Sequence, residues 1–107
     1  KGLIVAQKAV GSTLPTEFAL RGSYPNPFNA STQINFALPQ AGNVRLVIYK
    51  ILGQPVRTLL DGDQPAGERS VLWNGTDNGG QTLSSGIYFY KISFGGQVKV
   101  GRMNLLK

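Results

Sequence analysis

Histidine and cysteine are both absent from the 107 residues. The usual general base, the thiol nucleophile, thiolate metal ligands and disulfides are therefore excluded together. Five carboxylates remain: Glu17, Asp61, Asp63, Glu68 and Asp77. Asp61 and Asp63 stand close in sequence, but a hydrolytic dyad needs two carboxyls set across a cleft on a rigid frame. Asp61-Gly62-Asp63 reads as a turn instead. Asp61, Asp63, Asp77 and Asn78 offer hard oxygens to calcium, which takes about six to eight of them. Their spacing matches no EF-hand loop, and turn capping explains such side chains without a metal. Gly75, Gly79 and Gly80 precede no Lys-Ser or Lys-Thr pair, so there is no phosphate loop. The reading is of a protein without catalytic activity and without a cofactor.

Tyr49, Trp73, Tyr88, Phe89 and Tyr90 are the remaining candidates for chemistry, as a sugar platform or a surface that stacks bases. Trp73 is in phase with Val71, and Tyr88 and Tyr90 are in phase with Ile92, so burial accounts for them. An exposed row of Tyr49, Tyr88 and Tyr90 would instead support a carbohydrate-binding or spacer module of an extracellular hydrolase. The net charge is +6, with bases scattered at alternate positions as on a solvated face. After Asp77 no acid follows, whereas Lys91, Lys99, Arg102 and Lys107 do. That basic stretch can meet an anionic partner. Nucleic acid is not an expected partner.

The elements that must carry these residues are short strands. Fourteen glycines and six prolines fall between short apolar runs, as in chains of many strands joined by turns. Residues 1–15 read as a linker with a possible first strand from a preceding domain. Phe18 and Leu20 alternate with Ala19 and Arg21, and the two prolines after Tyr24 then end regular pairing, since neither has an N–H to donate. That segment is expected to form an edge or corner, with Tyr24 and Phe28 covering one end of the core. Period-two patterns follow at Ile34, Phe36 and Leu38, at Val44, Leu46 and Ile48, at Val71 and Trp73, and at Tyr88, Tyr90, Ile92 and Phe94. Gly95-Gly96 signals a hairpin into the last strand. The fold class is all-β, an immunoglobulin-like antiparallel sandwich of about seven strands over residues 16–107. No apolar run approaches the about eighteen residues that would span a membrane. With no initiator Met or signal segment at its start, the chain is expected to be part of a longer one.

Tyr24-Pro25-Asn26-Pro27-Phe28-Asn29, followed by Thr32, Ile34, Phe36 and Leu38-Pro39, resembles the opening of C-terminal sorting domains of the type IX secretion system. The likeness continues in order through Val47-Ile48-Tyr49 with Leu52-Gly53, Val56-Arg57-Thr58-Leu59, Ala66-Gly67, Trp73-Asn74-Gly75 with Asp77 and Gly80, and Ser85-Gly86-Ile87-Tyr88-Phe89-Tyr90. It ends at Arg102-Met103-Asn104-Leu105-Leu106-Lys107. Lys50 stands where that family usually has Asp. The stretch from Trp73 to Tyr88 is equally similar to the immunoglobulin-like domain of flagellar hook-capping proteins. A structural role in a hook-cap scaffold is thus a further reading.

The resemblance implies a type A sorting signal of an exported protein. It would carry an N-terminal cargo domain through the periplasm and the outer-membrane translocon to the cell surface or medium. A sortase-like peptidase and attachment to anionic lipopolysaccharide are implied with it. Arg102, Met103, Leu105, Leu106 and Lys107 are the implied recognition residues, read by strand addition or capture of the chain end. Tyr24, Pro25, Asn26, Pro27, Phe28, Asn29, Gly53, Trp73, Gly75, Asp77, Gly86 and Tyr88 are the implied fold determinants.

Overall fold

In a computed structural model, described over residues 14–107, the chain forms an antiparallel sandwich of immunoglobulin-like topology. The expected linker and first strand lie outside these residues except for Leu14 and Pro15. Seven strands follow one another: β1 (Ala19–Tyr24), β2 (Thr32–Leu38), β3 (Gly42–Lys50), β4 (Pro55–Gln64), β5 (Gly67–Trp73), β6 (Gly86–Phe94) and β7 (Gln97–Leu105). One sheet has the order β1-β2-β5 and the other β4-β3-β6-β7. Consecutive strands pair at β1–β2, β3–β4 and β6–β7. The links after β2, β4 and β5 cross from one sheet to the other.

Alternation produces the two faces. Val44, Leu46 and Ile48 of β3 and Tyr88, Tyr90, Ile92 and Phe94 of β6 turn inward and meet Ile34, Phe36 and Leu38 of β2. At one end Phe28, Trp73 and Tyr88 form a ring stack, with centroids 5.6 Å apart at each step. At the other end Phe18 lies 5.4 Å from Phe94. Gly95 and Gly96, at φ 56° and 80°, form the two-residue turn of the β6–β7 hairpin, whose positive dihedrals match the twist of the flanking strands.

Two local expectations are corrected. Asp61-Gly62-Asp63 is not a turn but part of β4, with Asp61 opposite Arg45 and Asp63 opposite Asn43. Pairing with β3 continues to Gly42, so the chain reverses only at Pro65, where no N–H is available for the ladder. Tyr24 does not cover the core: it is 77% exposed, whereas Phe28 is 3% exposed.

Gly101 lies opposite Tyr90, and a Cβ there would overlap the Tyr90 ring. Burial pushes the Tyr90 phenol above its ordinary 10.0. The unfolded chain then loses this proton at lower pH than the native one, so unfolding becomes easier as pH rises past 10.0. Denaturant midpoints measured across this range should fall, and Tyr90→Phe should flatten the decline.

Candidate functional site

β7 is an edge of the four-stranded sheet, and an edge strand presents unpaired backbone groups. Here the C-terminal end of that edge is closed by the segment between β1 and β2. The Asn26 side chain lies against it like a peptide unit. Its Nδ2 donates to the Arg102 carbonyl at 3.0 Å, and its Oδ1 accepts from the Asn104 N–H at 3.0 Å. Two residues on, the Phe28 N–H donates to the Asn104 carbonyl at 3.0 Å, and the Leu106 N–H donates to the Phe28 carbonyl at 2.8 Å. Phe28 thus forms a parallel bridge with Leu105.

The proline-rich run has the shape this clasp needs. A residue followed by proline is held extended, which suits both Tyr24 and Asn26. The Tyr24-Pro25 and Asn26-Pro27 peptide bonds are both cis. The buried Thr32 hydroxyl donates to the Pro25 carbonyl at 2.7 Å and ties the run to the start of β2. The Phe28 ring packs on Trp73. Gly75, at φ 74°, lies beneath both clasp and tail: a Cβ there would stand 3.4 Å from Leu105 and 3.9 Å from Phe28.

The implied recognition residues divide into two groups. Met103 and Leu105, each 1% exposed, fill the core. Arg102, Leu106 and Lys107 face solvent. The Lys107 N–H donates to Ser85 Oγ at 2.9 Å, and Leu106 and Lys107 line one groove with Pro25, Pro27, Phe28 and Asn29. Strand addition along residues 102–106 would have to displace Asn26 and Phe28. Asn26→Ala should cost about 1–2 kcal/mol, the usual scale for loss of a small set of hydrogen bonds. In hydrogen exchange it should speed the Asn104 amide while the pairing of Met103 with Tyr88 stays protected.

The other motif residues serve turns and packing. Gly53, at φ 93°, donates its N–H to the Lys50 carbonyl, and the Lys50 N–H donates to the Gln54 carbonyl. These backbone bonds close the turn whatever side chain stands at position 50. Asp77 Oδ1 accepts from the N–H groups of Gly79 and Gln81, both at 2.9 Å, and Asn78 Oδ1 accepts from the Thr58 N–H at 3.0 Å. These candidate calcium ligands thus bind backbone. No group of three or more metal-ligating side chains comes together among the described residues. Gly86 opens β6, and the Tyr88 hydroxyl donates to the Ser84 carbonyl at 2.7 Å.

The aromatic row of Tyr49, Tyr88 and Tyr90 does not exist as a surface. Tyr88 and Tyr90 are 4% and 2% exposed in the core, while Tyr49 lies on the opposite face of the sheet, beside Phe89. Asn26 was missed as a bonding residue. Its one local signal is an amide held extended between two prolines, and its partners lie 76 and 78 residues away.

No curated protein matches the chain. Among solved structures, the chain is similar to part of PorZ, described as an essential surface component of the type IX secretion system of Porphyromonas gingivalis. The likeness has a TM-score of 0.54 at 22% identity and covers 79% of this chain but only 11% of PorZ. That likeness shows the fold. The family described as the FlgD Ig-like domain matches residues 25–97, from the second residue of the clasp motif to the first of β7. By that match the chain belongs to the FlgD Ig-like domain family.

Proposed function

We propose that the domain is a sorting module that directs an exported cargo protein through the type IX outer-membrane translocon to the cell surface or medium. Residues 16–107 form the module, and residues 1–15 join it to the N-terminal cargo. It binds and is bound, and does no catalysis. One observation carries the reading. The opening 24–29 and the ending 102–107, where the resemblance to sorting domains begins and ends, meet in a single clasp with Leu106 and Lys107 on its surface. The place of PorZ in a type IX system supports the same direction. Cleavage by a sortase-like peptidase near the start of the domain, with attachment to anionic lipopolysaccharide, would follow translocation.

The test places the domain behind a signal peptide and a fluorescent reporter in a bacterium with a type IX system. Leu106→Asp and Lys107→Glu alter exposed side chains and should abolish surface fluorescence with melting unchanged. A reporter left in the periplasm by the unaltered domain would overturn the sorting role. Normal export of both variants would overturn the assignment of the tail as the surface that is read.

A further inference from the structure

The outer face of the four-stranded sheet is not explained by the clasp or the core. Register places its side chains in rows across the strands. Asp61, Arg45, Ser93 and Val98 form one row, and Thr58, Val47, Lys91 and Val100 the next. Tyr49, Phe89 and Arg102 form a third. Arg45, Lys91 and Arg102 therefore lie on a diagonal, each one strand over and one row along from the last. Diagonal neighbours of this kind are about 7–8 Å apart, so the three cations form a line across β3, β6 and β7.

Three features make this line a surface for an anion. All three cations are exposed. Among the described residues the one ion pair is Arg21 with Glu68, on the other sheet, so none of the three is held in an ion pair, although Asp61 stands opposite Arg45 on the neighbouring strand and only Lys91 and Arg102 have no facing carboxylate. The line is also held in place. Lys91 Nζ sits 5.3 Å from the centre of the Tyr49 ring, an attraction that restrains a flexible side chain, and the Arg102 carbonyl is gripped by Asn26. Asp61 and Asp63 stand on β4 at the far edge, so the basic part of the face covers β3, β6 and β7.

We infer that this face binds an acidic polysaccharide, through Arg45, Lys91 and Arg102 on its charged groups and Phe89 and Tyr49 against its ring faces. The backbone groups of β3 and β6 are consumed by the ladder on both sides. Recognition on this face must therefore come from side chains, which disfavours an extended peptide, the usual partner of an edge. A polymer with repeated charges and flat apolar ring faces fits a line of separated cations flanked by two aromatic rings. The choice of glycan rests on the surface location proposed above, whereas the binding itself does not depend on secretion.

The test is binding of the isolated chain to dextran sulfate and polygalacturonate, against neutral dextran and polyglutamate, with salt varied because exposed charges are screened. Arg45→Gln, Lys91→Gln and Arg102→Gln together should weaken binding to both acidic polysaccharides about tenfold or more, as loss of complementary charges does. Lys50→Gln, Arg69→Gln and Lys99→Gln remove equal charge elsewhere and should change binding less than about threefold. Equal losses in the two triple variants, or polyglutamate bound as tightly as the polysaccharides, would overturn the inference. Because no export is involved, the sorting role can fail while this binding stands, and the reverse.

Discussion

Removing residues 102–107 is expected to unfold the domain, not merely to erase a signal. Met103 and Leu105 are each 1% exposed and pair through β7 with Tyr88 and Gly86 of β6. Truncating a buried Met or Leu to Ala costs about 2–5 kcal/mol, and the deletion removes both, together with the carbonyl and N–H groups that Asn26 and Phe28 bind. Small domains have only about 5–15 kcal/mol of stability in total. The shortened chain should therefore lose its cooperative thermal transition, as followed by circular dichroism. Loss of export on such a deletion would say nothing about recognition. Retention of a sharp transition would show that the tail contributes little to folding and would strengthen a purely recognitive role. Changes confined to Leu106 and Lys107 avoid this ambiguity, since neither side chain enters the core.

The strands were legible wherever one face is buried, because burial imposes the period of two that Ile34 to Leu38 and Tyr88 to Phe94 display. Those phases also placed Trp73, Tyr88 and Tyr90 in the core. Strand order was not legible. A link such as Pro39 to Ala41 is short whether it turns back within one sheet or crosses to the other, and here it crosses. Asp61-Gly62-Asp63 misled for a related reason. Its residues favour turns locally, but partners on β3 remain opposite them, and the ladder prevails. The clasp is the least legible part, since a side chain that completes a distant strand edge leaves no periodicity. The resemblance to sorting domains pointed to both halves of the clasp, but only the fold joins them.

Trp73 connects core and clasp, so Trp73→Ala should have consequences at both. The side chain is fully buried. Its ring lies between Phe28 and Tyr88, and its Nε1 donates to the Thr76 carbonyl at 2.9 Å. Truncation of a buried Trp to Ala costs about 3–5 kcal/mol, enough to bring a domain of this size close to unfolding at ordinary temperature. Urea titration should show a midpoint far below that of the unaltered protein. Trp73→Phe keeps a ring between its neighbours and loses the hydrogen bond, and should cost much less. The second consequence is local. Without Trp73 the Phe28 ring loses its support, so the Leu106 N–H bonded to the Phe28 carbonyl should exchange faster, even under conditions where the β3–β6 pairing remains protected. If the Leu106 amide instead kept its protection while the core weakened, the clasp would be held by Asn26 and the proline-bounded backbone alone. Its coupling to the ring stack would then be absent.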